Sequence, residues 1–309
     1  MAFNVPILLL IFNRPGTTEK VFQQIRMMQP TRLFIAADGP RPGRIDDIEK
    51  CQQTRDICIN NIDWDCEVKT LFRDHNLGCD PAIRQAVSWF FEQVDEGLVF
   101  EDDVFVNRSF FYFCQEMLKR YRDDVEVMHI NGANSLYPFM QVKDPYYFSK
   151  LPSAWGWASW ARAWKNYNHV SDLNEDLVRS EIEKWAANAK ISNFFLKIYE
   201  RLKKREIDNW DYQWTFSLFA AGGLTITPSV NFVLNLGFNE DATHTSGSVG
   251  EAYKHMQLRE MEMPIAVVKK RLLQGTDRVA MKRYLGLTNN IFVRVIRFLK
   301  RKAKQAKII

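Results

Sequence analysis

Three consecutive acids, Glu101, Asp102 and Asp103, directly follow the apolar run 98–100. Carboxylates so placed repel one another and cannot all be satisfied by local backbone, so a cation is expected among them. Clustered oxygen ligands suit Mg²⁺ or Mn²⁺, and a divalent ion bridging two phosphates neutralises charge as a nucleoside diphosphate leaves. The alternative is an acidic run that caps the next helix or is simply solvated. Asp211 stands between Trp210 and Tyr212, with Trp214 close by. Aromatic neighbours desolvate a carboxylate and raise its pKa, which makes it a better proton acceptor near neutrality; the competing role is an N-cap for the helix that follows. His244 lies in the polar, turn-rich stretch 241–245 and suits a metal or phosphate contact. An ordinary surface histidine is the other reading. Trp155 and Trp157 bracket Gly156 and offer rings for the C–H faces of a sugar, whereas Trp160 and Trp164 read as core.

The elements that must position these groups are legible as alternation. Strand signals at 5–12, 32–37, 67–72, 98–100 and 125–130 are separated by helical patterns at 17–28, 45–61, 81–94 and 107–122. Strands alternating with helices of this length predict an α/β fold, with a mostly parallel sheet covered on both faces. Ligands of such sheets bind beyond the carboxyl ends of the strands. Asn13-Arg14, Asp38-Gly39 and the acidic triplet all fall there. Later segments at 174–205 and from 210 to Gly222-Gly223 read as helical, and 224–227 as a strand. A Gly- and Asn-rich loop covers 235–250.

Bulk properties restrict the function class. A chain of 309 residues, 46% hydrophobic and 26% charged, is an ordinary globular sequence. Five cysteines without a C-x-x-C pair fit buried, reduced thiols better than a disulfide framework or zinc cluster. The apolar run 6–12 is short and stopped by Asn13-Arg14-Pro15, so it reads as a strand rather than a signal peptide. No run reaches the length of a membrane span, and a cytoplasmic location is expected. The net charge of +5 hides an asymmetry: residues 278–309 hold ten Lys or Arg and no acid, which leaves residues 1–277 at −5. Such a balance argues against a nucleic-acid-binding domain. It divides the chain into a catalytic domain, 1–277, and a basic tail, 278–309. Ile291, Phe292, Val295, Phe298 and Leu299 recur at helical spacing among basic residues. That pattern predicts peripheral contact with an anionic membrane surface, the alternative being a terminal helix that covers the body.

The pieces resemble, in order and placement, the GT-A fold family of N-acetylglucosaminyltransferase I and related bacterial nucleotide-diphospho-sugar transferases. The matching stretches are Ile11-Phe12-Asn13-Arg14-Pro15, Ala37-Asp38-Gly39, Asn76-Leu77-Gly78-Cys79, Glu101-Asp102-Asp103-Val104 with Phe110-Phe111-Tyr112-Phe113, Gly156-Trp157 with Trp164, Trp210-Asp211, and Pro228 with the loop 235–247. The resemblance spans roughly residues 5–250 and implies a GT-A, Rossmann-like sheet flanked by helices. By position it implies that Asp103 binds the metal, Asp102 contacts ribose, Asp38 holds uracil, Arg14 lies beside the nucleotide and Asp211 is the catalytic base. It places Asn76, Glu101 and Trp157 with the donor, and the loop near His244 over it. Family members often have a second Asp after the base; here Tyr212 stands there.

The function so implied is metal-dependent, inverting transfer of a sugar from a UDP-sugar to a hydroxyl of a glycan or lipid-linked glycan. The setting would be bacterial surface polysaccharide synthesis at the inner face of the cytoplasmic membrane. Two other classes stay open. A sugar-nucleotide nucleotidyltransferase would carry a longer Gly-rich, basic phosphate loop than Asn13-Arg14-Pro15-Gly16. A non-catalytic carbohydrate-binding protein of the same fold would have little use for intact Asp103 and Asp211.

Overall fold

A computed structural model describes residues 3–237 and 256–287. The first half runs β1 (Ile7–Ile11), α1 (Pro15–Met28), β2 (Arg32–Ala37), α2 (Ile45–Asn60), β3 (Glu67–Phe72), α3 (Cys79–Phe91), β4 (Glu96–Glu101), β5 (Val104–Val106), α4 (Arg108–Arg120) and β6 (Val127–Asn131). The second half runs β7 (Tyr146–Ser149), β8 (Trp157–Trp160), α5 (Ala161–Trp164), α6 (Glu175–Ala186), α7 (Ala189–Lys203), α8 (Trp210–Ala220), β9 (Leu224–Pro228), β10 (Val233–Asn235) and α9 (Gln274–Tyr284).

The predicted α/β architecture is present. Eight strands form one sheet in the order β3-β2-β1-β4-β8-β6-β9-β7. β1 pairs in parallel with β2 on one side and β4 on the other, with Leu9 opposite Ile35 and Phe100. All five residues of β1 are buried, as a strand covered on both faces requires. β8 is antiparallel to both β4 and β6, and β7 is antiparallel to β9. The chain moves from β1 outward to β2 and β3, then crosses back to β4. The resulting switch point lies between β1 and β4, where such sheets form a crevice at their carboxyl edge.

Two short strands pin that edge. After β4 the chain turns through Asp102 and Asp103 into β5, which pairs antiparallel with β10. Helix α8 serves two cores at once. Trp210, Trp214 and Leu218 join the core under the sheet, while Phe216 and Phe219 join a second cluster with Trp185, Phe195 and Tyr199 from α6 and α7. A helix apolar on nearly every side belongs between two layers.

β8 is extended, so Trp157 and Trp160 project to opposite faces, and Trp160 and Trp164 are core residues as expected. Two expectations need correction. The division at 277/278 falls inside α9. Asp277 is buried there, and it accepts hydrogen bonds from Ser149 Oγ (2.6 Å), the Lys150 backbone N–H (2.9 Å) and Trp185 Nε1 (2.9 Å). Met281 packs into the second cluster and the Arg283 guanidinium lies over the Phe139 ring, so the first residues assigned to a tail belong to the body. Finally, the cysteines are all free thiols, yet Cys79 is exposed and Cys66 only partly covered.

Candidate active site

Strand ends bring Arg14, Asp102 and Asp103 together. At the end of β1 the Phe12 backbone N–H donates to Asp102 Oδ2 at 2.8 Å. Arg14 Nη1 donates to Asp102 Oδ1 (3.2 Å) and to Asp103 Oδ2 (2.8 Å). The acidic triplet is therefore not a solvated run: Asp102 and Asp103 are 3% and 7% exposed and converge on one guanidinium. The hairpin holds them from below, because the Leu236 N–H donates to the Asp103 carbonyl at 2.7 Å. Gly237 packs closely on Asp103: a Cβ there would lie 2.3 Å from Asp103 Oδ2, so a side chain at 237 would displace the carboxylate.

Burial dominates the electrostatics of this corner. It pushes the Asp102 carboxyl up to about 6 against the pull of Arg14. Asp103 is raised for the same reason, again opposed by Arg14. Glu101 is raised well above its ordinary value, first by burial and then by the charges of Asp103, Asp102 and Asp211. That coupling ties the triplet to the start of α8, 110 positions further along the chain.

Asp211 occupies the first turn of α8, but it does not cap the helix. Asn209 is the N-cap residue, and its Oδ1 accepts from the Tyr212 N–H at 3.2 Å. The Asp211 carboxylate leans on the same N–H at 3.0 Å, and its side chain stays partly exposed. Burial among its neighbours nonetheless pushes its carboxyl up to about 6.

Asp38 follows β2 and organises the neighbouring loop. Its carboxylate accepts from the Gly39 N–H (3.0 Å) and the Leu77 N–H (3.1 Å). Asn76 returns the contact, donating from Nδ2 to the Gly39 carbonyl at 3.0 Å, while its Oδ1 accepts from the Gly78 N–H at 3.2 Å. Burial raises the Asp38 carboxyl, and the backbone donors partly offset it.

Trp157 does not belong to this surface. Its ring is fully buried, stacked on His129 (5.1 Å) and packed on Trp164 and Trp210. An extended backbone at β8 sends it under the sheet rather than into the crevice. Trp155 is only partly buried. His244 lies outside the described residues. Among the described residues no group of three or more His, Cys, Asp or Glu is arranged to hold a metal ion.

Sequence reasoning missed a buttress beside Arg14. Asp47 is completely buried on α2, accepting from Asn13 Nδ2 (2.6 Å) and from Arg41 Nε (2.6 Å) and Nη2 (2.8 Å). The Arg41 guanidinium holds the Asp47 carboxyl well below the usual range and also lies over the Phe12 ring at 5.5 Å. Arg41 in the turn Gly39-Pro40-Arg41-Pro42 was a visible signal; Asp47 read only as a first-turn helix acid.

No family model matches the sequence, and no curated protein matches it. Solved structures do. The chain is similar to mouse xyloside xylosyltransferase 1 in its apo form, at 10% identity over 82% of this chain and 95% of that one, with a TM-score of 0.37. It is also similar to HddC from Yersinia pseudotuberculosis, at 10% identity over 53% of this chain and 80% of that one, with a TM-score of 0.32.

Proposed function

We infer that the protein is an inverting glycosyltransferase of GT-A type that moves a sugar from a UDP-sugar to a hydroxyl of a glycan or lipid-linked glycan. The observation that carries this reading is the convergence of Asp102 and Asp103 on Arg14 Nη1 at the carboxyl ends of β4 and β1, with Asp211 of α8 close enough for its charge to raise Glu101. The triplet supplies charge to a donor site and Asp211 a base.

The donor would lie across the carboxyl ends of β1, β2 and β4. Asp38 and Asn76 would flank the uracil, Asp102 and Glu101 the ribose, and Arg14 the diphosphate. Asp103 would hold a divalent ion, Mn²⁺ or Mg²⁺, since such hard cations bind readily through one or two carboxylates together with substrate oxygens. The fit is supported by Asp102 and Asp103 already converging on a cation, Arg14 Nη1. His244 is the second expected ligand. When bound, the ion would offset negative charge on the departing UDP.

Asp211, with its carboxyl near 6, is ionised at neutral pH yet more basic than an ordinary aspartate. It accepts the proton of the acceptor hydroxyl as that oxygen forms a bond to the donor C1. The C1–O bond to the diphosphate breaks with its electron pair leaving on UDP, so configuration at C1 inverts. Transfer to a lipid-linked glycan in bacterial surface polysaccharide synthesis fits the basic C-terminus at an anionic membrane.

UDP release across a panel of UDP-sugars, with and without Mn²⁺, tests the reading. Release from at least one donor, stimulated by Mn²⁺ and lost in Asp103→Ala, is the expected result. Release of pyrophosphate from UTP and a sugar phosphate would instead favour a nucleotidyltransferase. No turnover of any kind would leave a non-catalytic binding protein.

A further inference from the structure

Helix α3 begins without a cap of its own. Its N-cap position is Gly78, which has no side chain to accept from the first turn and sits at φ 85°, in the region where glycine is at ease. A carboxylate from far along the chain fills the gap. Asp208 Oδ1 accepts from the Asp80 backbone N–H at 3.1 Å, the position that an N-cap side chain ordinarily serves. A Cβ on Gly78 would stand 3.2 Å from Asp208 Oδ2, so a side chain there would crowd the contact.

The other side of the same turn is tied inward. Asp80 is buried, and its Oδ1 accepts from Tyr167 Oη at 2.9 Å. Tyr167 in turn packs on Trp164 and Trp214. The start of α3 is thus held from outside by Asp208 and from inside by Asp80. Asp208 immediately precedes Asn209, the cap of α8, and stands three residues before Asp211. The loop 76–78, which grips Asp38 and Gly39, immediately precedes α3.

We propose that Asp208 is a positioning residue: by capping α3 from the α8 side, it fixes the distance between the loop 76–78, which grips Asp38, and the helix turn that carries Asp211. This rests on the reading of Asp38 as a donor contact and Asp211 as the base. A base displaced by about 1 Å loses on the order of a hundredfold in rate, so a single part-buried hydrogen bond at this junction acts on turnover out of proportion to its stability.

The test compares Asp208→Ala, which deletes the acceptor, with Asp208→Asn, which keeps an oxygen in place. Backbone amide exchange at 79–82 and 209–213 reports the junction without reference to activity. UDP release from the best UDP-sugar of the panel, with Mn²⁺, reports the chemistry. In Asp208→Ala, exchange should quicken in both segments and kcat fall about tenfold or more. UDP affinity should stay within threefold and Tm drop only about 2–4 °C, the scale of one lost cap. Asp208→Asn should recover most of kcat. Unchanged exchange at 209–213 overturns the coupling, and faster exchange with unchanged kcat reduces Asp208 to a structural cap. An Asn variant as slow as Ala also overturns the proposal, because charge rather than the cap would then matter. Failure of the unsubstituted protein to release UDP from any donor would sink the transferase reading separately. The exchange data alone would then decide whether Asp208 couples the two helix starts.

Discussion

At the scale of single residues the sharpest distinction concerns Asp211. Its type and aromatic setting were legible; the competing cap role was not, because Asn209 also precedes the helix and only geometry shows which side chain reaches the Tyr212 N–H. Since Asn209 caps α8, Asp211→Asn should leave Tm nearly unchanged. Removing the proposed base should slow the proposed sugar transfer by roughly a hundred- to ten-thousand-fold, with UDP-sugar affinity barely altered. A base works only as carboxylate, so on this proposal the unsubstituted protein should lose rate as pH falls through about 6, higher than an ordinary aspartate would give. A pH–rate profile flat down to pH 5, or near-normal turnover in Asp211→Asn, would remove Asp211 from catalysis. Trp157 was illegible for the opposite reason. A tryptophan beside a glycine has the same spelling whether it faces a ligand or the core, and strand pleating decides.

Among elements, β1, β2 and β3 could be read to within a residue or two; β1 and β2 are buried parallel strands that spell continuous apolar runs closed by turn residues, whereas the edge strand β3 has only half-buried and exposed residues. β5, β7, β8 and β10 could not. They are three or four residues long, and their partners are remote in sequence; β7, for example, pairs with β9 about eighty positions away. The turn after β2 was visible as Asp38-Gly39-Pro40, yet the demand on Gly39 was not. A Cβ there would lie 2.4 Å from the backbone C and N of His75, and backbone atoms cannot swing aside as a side-chain end can. Gly39→Ala should therefore push the loop 75–78 away from Asp38. The expected result is weaker UDP binding by tenfold or more and a melting point lower by several degrees, in the range of overpacked sites. UDP affinity and Tm both unchanged would show that the two loops are not in contact. Helix α9 escaped detection because charge counting drew a boundary at Asp277, whereas the fold uses that acid to fasten the helix to Ser149, Lys150 and Trp185.

For the whole molecule the asymmetry of charge remains informative once α9 is returned to the body. Of the ten basic residues after Asp277, Arg278, Lys282 and Arg283 lie on α9. The other seven fall between 294 and 307, outside the described residues. Among the described residues no helix is long and apolar enough to cross a membrane. Truncation after Asn289 should release the protein from anionic liposomes, at about 1 kcal/mol lost per basic residue near the surface, while UDP release in solution stays within twofold. Equal co-sedimentation of truncated and full-length protein with anionic vesicles would assign those seven charges another role. The sheet order belongs to this scale too. Periodicity foretold layers, but the antiparallel insertion of β8 between β4 and β6 depends on long-range pairing that no local pattern encodes.

Light absorbed by this protein does not stay on one ring. Trp210, Trp157, Trp164 and Trp214 follow one another at 5.7, 6.1 and 5.1 Å between ring centroids. Indoles this close share their excited states, so the set behaves as one chromophore with a chiral arrangement fixed by the core. Its outer member, Trp210, is covalently next to Asp211. A movement of the first turn of α8 therefore changes the optical activity and emission of the whole set, and the molecule carries an intrinsic readout of the place where the hydroxyl is expected to arrive.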